Sequence, residues 1–261
     1  MINGKTVALC MVVYNEAEQV EKLVESMKRV ESKILNTSGN GIEFPEKIVD
    51  EVVIIDQGSS DDQSKRLQAI ATIYHKTSNK GNADYDRQFC YSLPNSDYIL
   101  AMDGDEIITK ENILKLIDLV KKYDPDLIWF LFHNKMRGQF PLIAKDVTID
   151  LKDILADDPH PRFWRKIVTY EGRVVPTVIW GNEAHTFPQI GSQKQIYSNL
   201  FFEHERDLVG TIRRHLHRGK NISDEAKQME KRFIGAVISK FDKDVQEHVQ
   251  SQVPELKEYL R

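Results

Sequence analysis

Val52-Val53-Ile54-Ile55-Asp56-Gln57-Gly58-Ser59-Ser60-Asp61 passes from four consecutive β-branched residues into a carboxylate, a glycine, two serines and a second carboxylate. An apolar run without polar alternation suits a strand covered on both faces, the situation inside a parallel sheet. The break that follows has turn chemistry, and Asp61-Asp62 place negative charge where the first turn of a helix favours it. This one stretch therefore reads as strand, ligand-facing loop and helix. The same grammar extends in both directions.

Upstream, Thr6 to Val13 is a β-branched-rich strand, and Val20, Leu23, Val24, Met27 and Val30 recur at helical spacing behind Asn15-Glu16. A polar loop containing Thr37-Ser38-Gly39-Asn40-Gly41 leads back to the quoted strand. Downstream, a helix is predicted over Asp61 to Ala71, a strand over Ala71 to Tyr74 and a helix over Ala83 to Leu93. A strand over Tyr98 to Met102 and an amphipathic helix over Ile113 to Val120 complete the series. The β-α-β-α order predicts an α/β fold with an open, mostly parallel sheet flanked by helices, with ligands beyond the carboxyl ends of its strands. Polar groups gather there: Tyr14-Asn15-Glu16, Asp56 to Asp61, Lys80-Gly81 and Asp103-Gly104-Asp105-Glu106.

Past Leu127 the sequence becomes aromatic and proline-interrupted, as in Pro161-Arg162-Phe163-Trp164-Arg165 and Trp180-Gly181-Asn182-Glu183-Ala184-His185, and reads as an acceptor-side half on the same sheet. From Asn221, Met229, Phe233, Val237, Phe241 and Val245 fall at steps of four, one face of a long helix that Pro254 ends. That face either packs on the domain or serves self-association as a homo-oligomer. The expected organisation is one domain over residues 1–220, with a nucleotide-binding half to about 125 and an acceptor half over 126–220, then a helical extension over 221–261.

With 41% apolar and 29% charged residues, 13 glycines and 9 prolines in 261 positions, the chain can bury a core and is neither disordered nor collagen-like. Lys+Arg 36 against Asp+Glu 40 gives 36 − 40 = −4, so a general grip on nucleic acid or anionic membrane is not indicated. The densest basic run is Arg213-Arg214-His215-Leu216-His217-Arg218-Gly219-Lys220, which is a solvated helix face or a loop over donor phosphates. No apolar run approaches bilayer length and no leader pattern is evident, so a cytoplasmic setting is expected. Cys10 and Cys90 lack metal-ligand or redox spacing and are expected as buried free thiols.

Asp103 and Asp105 flank a glycine at a strand end, where a tight turn can aim both carboxylates at one hard cation, Mn²⁺ or Mg²⁺. Alone, such a turn is equally a solvated loop ahead of a helix. Asp56 is placed to accept from a ribose or base edge, with Gly58 permitting close approach, but Ser59 or Ser60 could simply cap the next helix there. Asn15 could likewise be an N-cap with Glu16 matched to the dipole.

The order and spacing of Met11 to Glu16, Val53 to Asp61 and Leu100 to Glu106 resemble those of family 2 glycosyltransferases over the first half of the chain. The resemblance implies a GT-A fold and inverting transfer from a nucleoside diphosphate sugar, with a UDP-sugar the expected donor. It implies nucleoside binding by Tyr14, Glu16 and Asp56, nucleotide and diphosphate contacts by Lys80 and Arg87, and metal and ribose positioning by Asp103 and Asp105. It further implies His204, in Phe202-Glu203-His204-Glu205, as a metal ligand and Glu183 as the base, with Asp157 and Asp158 as weaker rivals. Val13, Gln57 and Gln88 stand where many members carry Pro, Asp and Asn. A glycan, small-molecule or polymer acceptor is expected, and a nucleic-acid acceptor is disfavoured by the charge balance. A nucleotidyltransferase of similar fold and a sugar-nucleotide-binding module without turnover are the rival readings.

Overall fold

The computed structural model describes residues 1–28, 30–35, 41–46, 48–78, 83–140, 145–150, 159–170, 172–180, 189–191, 194–209, 211–212, 216 and 224–259. The chain divides into two compact units, one of residues 1–131 with 159–202 and the other of residues 132–158 with 203–261. Residues 203–220, read from sequence with the preceding domain, thus fall in the same unit as the C-terminal helices, together with 132–158.

The first unit opens with β1 (Val7–Val13), α1 (Ala17–Lys28), β2 (Val30–Leu35), β3 (Gly41–Glu46), β4 (Glu51–Asp56), α2 (Asp61–Ile70) and β5 (Ile73–Lys76). It continues through α3 (Asp84–Ser92), β6 (Tyr98–Asp103), the short β7 (Glu106–Ile107) and α4 (Lys110–Tyr123). β8 (Leu127–Phe140) carries the chain into β9 (Lys145–Asp150) of the second unit, and the first unit resumes with β10 (His160–Arg165). Two small antiparallel pairs follow, β11 (Ile167–Tyr170) with β12 (Arg173–Pro176), and β13 (Val178–Ile179) with β14 (Gln189–Ile190). β15 (Gln195–Asp207) leads out of the unit.

The main sheet has the order β5-β4-β1-β6-β10-β8-β15-β7. The β5/β4, β4/β1 and β1/β6 pairs are parallel, as the apolar runs predict. β10 pairs antiparallel with β6 and with the start of β8, so the aromatic, proline-interrupted segment past Leu127 does extend the same sheet. β1 is buried along its whole length and β4 from Val52 onward, because β1 is central and both faces are covered. The core between α3 and the sheet includes Val53, Ile55, Cys90, Tyr91, Leu127 and Trp164. Cys10 and Cys90 are free and buried, as expected.

Three expectations shift. The segment read as a polar loop between α1 and β4 contains the β2/β3 antiparallel pair, and Val30 belongs to β2 rather than to α1. The third strand starts at Ile73 rather than Ala71, because the Ala71 N–H still bonds back to Leu67 O at the end of α2. The single long C-terminal helix is three: α5 (Asp224–Ser239), α6 (Lys243–Gln252) and α7 (Leu256–Tyr259). Asp242 breaks it, its side chain accepting from Val245 N at 3.1 Å as the N-cap of α6.

In the second unit, β9 pairs antiparallel with Lys135 to Phe140 of β8. Val237, Phe241 and Val245, from the step-of-four stripe, are buried with Leu208, Ile212, Leu216, Ile234 and Val249, and Phe233 packs against them. From Phe233 onward that apolar stripe is thus covered by residues of its own unit. No described helix is long and apolar enough to cross a membrane.

Candidate active site at the carboxyl ends of β1, β4 and β6

The loops after β1 and β4 are stitched to each other. Asn15 takes a left-handed backbone conformation, φ 57°, which asparagine tolerates better than most side-chain-bearing residues. Its N–H donates to Ser59 Oγ at 2.8 Å, and its Oδ1 accepts from Ser60 N at 2.9 Å. Asn15 therefore bridges two loops instead of capping α1, whose Ala17 N–H is satisfied by Gln63 Oε1 at 2.9 Å. Ser60 occupies the N-cap position of α2 without a side-chain cap bond. Gly58, at φ 82°, supplies the turn that a side chain would strain.

Asp56 ends β4 fully buried. Its carboxylate accepts from Ser59 N at 2.8 Å, Ser64 Oγ at 2.5 Å and Tyr74 OH at 2.7 Å. Burial alone would raise this carboxyl, but the donors from Ser59, Ser64 and Tyr74 outweigh it and hold it below the ordinary carboxylate range. In this conformation Asp56 organises the loop and presents no oxygen at the surface. Gln57, beside it, donates from Nε2 to Asp86 Oδ2 at 2.8 Å. The neutral amide at 57 thus meets a carboxylate on α3. Tyr14, in contrast, leaves 46% of its surface exposed at the end of β1.

Asp103 ends β6 between two arginines. Arg87 Nη2, from α3, lies 2.8 and 3.0 Å from its two oxygens, and Arg162 Nη2 is 3.4 Å from Oδ2. Arg87 also has Asp84 Oδ1 2.9 Å from Nε. Burial opposes the Arg87 charge, but Asp103 and then Asp84 more than restore it, so the guanidinium is held firmly protonated.

Glu106, absent from the sequence-derived site, is buried beneath this turn. It accepts from Asp103 N at 2.8 Å and from Arg162 Nη2 at 2.5 Å. Burial pushes its carboxyl up to about 8, against the pull of Arg162 and with the like charges of Asp103 and Asp105 adding to the rise. Arg162 reaches it from β10, whose pairing with β8 slips in register between Pro161 and Phe163. The bulge re-aims the intervening residue. The legible signal was an arginine set between Pro161 and Phe163-Trp164 in a buried stretch, which needs an acid opposite it.

Gly104 is fixed by close approach. A Cβ there would overlap Glu16 Oε2 and lie 3.0 Å from Glu16 Cδ and 3.1 Å from Cβ. The loop after β1 and the Asp103-Gly104-Asp105 turn are therefore in contact. The structure brings together Glu16, Arg87 and Asp103, with Asp105 beside them in sequence, and holds Asp56 in the neighbouring strand-end loop. Lys80, Glu183, Asp157, Asp158 and the basic run except Leu216 lie outside the described residues. His204 is on β15 in the second unit, and its side chain is outside the description. Among the described residues no three His, Cys, Asp or Glu side chains converge as a metal cluster.

Comparison with known proteins agrees with this arrangement at the level of family. Among solved structures, TarS of S. aureus (residues 1–349) is similar at 12% identity, with 88% of this chain and 70% of that one covered and a TM-score of 0.44. Glucosyl-3-phosphoglycerate synthase from Mycobacterium tuberculosis, solved with Mn²⁺ and UDP-glucose, is similar at 17% identity with a TM-score of 0.36. There 49% of this chain and 44% of the synthase are covered, so this chain spans less than half of that protein. No curated protein matches. The pattern described as glycosyl transferase family 2 matches residues 8–166, more than half of the sequence and every strand-end loop described above. The chain is an enzyme of glycosyltransferase family 2.

Proposed function

We propose that the protein transfers a sugar from a nucleoside diphosphate sugar, a UDP-sugar first among the candidates, to an acceptor hydroxyl by a single inverting, divalent-cation-dependent displacement. The observation that carries this reading is the turn at the end of β6: two carboxylates flank a glycine packed on Glu16, with Arg87 on Asp103. Asp103 and Asp105 offer only hard oxygen donors, which suits Mn²⁺ or Mg²⁺. Asp103 and Asp105 would be the cation's ligands from the first unit. Such a cation supplies charge neutralisation on the departing diphosphate.

The residues of the chain divide the remaining work. Tyr14 offers an exposed ring to the base, and Glu16 offers a carboxylate to the nucleoside. Asp56 serves the nucleoside through the loop it holds, which fixes Ser59 and, through Asn15, the end of β1. Arg87 and Lys80 provide positive charge for the diphosphate. Glu183 is the proposed base that takes the acceptor proton, a role worth ~10²–10⁴-fold in rate.

A thermal-shift panel of UDP, GDP, CDP, TDP and ADP, with and without Mn²⁺, tests the donor half. A ligand at a hundred times its dissociation constant stabilises the native state by ~2.7 kcal/mol. Stabilisation by UDP with Mn²⁺, abolished in Asp105→Asn, is the expected outcome. No shift with any nucleotide would overturn the reading, and binding without transfer from any donor would leave a nucleotide-binding module.

A further inference from the structure

Trp180 stands at the end of a described segment, just past β13, and is 9% exposed. Its ring lies beneath the Arg87 guanidinium, with Cζ 5.1 Å from the ring centroid. That is within reach of a cation–π interaction, whose strength grows when water is excluded. Arg87 is itself 9% exposed, and it is also paired with Asp103 and Asp84. A buried tryptophan ordinarily orients its ring by finding an acceptor for the indole N–H. Here the buried Nε1 has no hydrogen-bond partner among the described residues, and the ring contacts are with Arg87 and Tyr91.

The backbone of Trp180 is fixed independently. Its N–H donates to Gln88 Oε1 at 2.8 Å, and Gln88 is the neighbour of Arg87 on α3. An asparagine at 88 would be one methylene shorter; glutamine supplies the longer arm used here. Tyr91, one turn along α3, tilts against Trp180 with centroids 6.3 Å apart and sets its edge on Trp164 at 5.0 Å. Three contacts within about one turn of α3, from Arg87, Gln88 and Tyr91, thus converge on a single residue from outside that helix.

We infer that Trp180, held by Gln88, is a positioning residue that keeps the Arg87 guanidinium seated on Asp103 and thereby sets affinity for the nucleotide–metal part of the donor. The inference rests on the proposed function for its ligand but not for its geometry. Trp180 touches neither reacting atom nor cation in this scheme, so its removal acts on donor binding before it acts on turnover.

Two measurements test it. The first needs no ligand: in a crystal structure of Trp180→Leu, Arg87 Nη2 should no longer lie within hydrogen-bond distance of Asp103. Retention of the 2.8 and 3.0 Å contacts would overturn the inference whatever the donor proves to be. The second is titration of UDP with Mn²⁺ into wild type, Trp180→Phe and Trp180→Leu. The aliphatic variant should bind about tenfold more weakly and the aromatic one about threefold, with KM for donor rising more than kcat falls. Equal losses in both variants, or a fall in kcat alone, would overturn it. If Trp180→Leu does not fold, Gln88→Leu serves in both experiments, with the same Arg87 displacement expected. Failure of wild type to bind any nucleotide would count against the proposed function, while the ligand-free structure would still decide the role of Trp180.

Discussion

The carboxylate of Asp56 is fully buried and yet held ionised by Ser59, Ser64 and Tyr74. Its folded-state pKa is depressed below the ordinary value of 3.8, so its stabilising contribution is complete above that value and lost as pH falls through the folded pKa. Asp56→Asn should destabilise by about 1–3 kcal/mol at neutral pH, because an amide NH₂ cannot accept from the two hydroxyl donors. Denaturant titrations of both proteins should show a gap that is constant near neutrality and narrows below pH 3.8. A gap that does not change with pH would show that the charge contributes nothing. The sequence places Asp56 at a strand end but cannot show that three donors close around it, since Tyr74 comes from the neighbouring strand and Ser64 from the helix beyond. Glu106 and Arg162 were hidden for the same reason: they meet from β7 and β10, 56 residues apart in the chain.

At the level of elements, the apolar runs made β1, β4 and β6 and their parallel pairing legible, because central strands are written almost wholly in apolar residues. The β2/β3 pair was not legible, since neither strand shows the continuous apolar run of a central one. The C-terminal stripe was read correctly as helical and wrongly as continuous: a period of four survives a break when the next helix resumes in phase. Asp242 is the punctuation. Replacing it with alanine should cost about 1 kcal/mol through loss of the α6 cap. A melting experiment with Asp242→Asn as the capping-competent control would check this, and equal stability of Asp242→Ala and wild type would refute it.

Across the whole molecule, the two cysteines are built-in reporters. Both are fully buried, Cys10 in β1 and Cys90 in α3, and burial raises the Cys10 thiol well above its ordinary range with neighbouring Cys90 adding to the rise. Thiolate is the reactive form, so an aromatic disulfide reagent should find neither site in the folded protein. Labelling should proceed at the rate at which the first unit opens, slow when a nucleotide is bound and rapid in denaturant. Immediate labelling of the native chain would show that α3 opens locally. The net charge of −4 says nothing of where the acids sit; Asp84, Asp103 and Glu106 are spent on Arg87 and Arg162.

Gly104 has a consequence for heredity as well as for geometry. Because the Glu16 side chain occupies the space a Cβ would need, positions 16 and 104 are not free to drift separately. A side chain at 104 requires the Glu16 carboxylate to turn away or residue 16 to be shorter, and a bulkier, stiffer residue at 16 favours keeping 104 bare. Two loops separated by 88 positions of sequence therefore behave as one unit of change, so a family alignment should show them varying together or not at all.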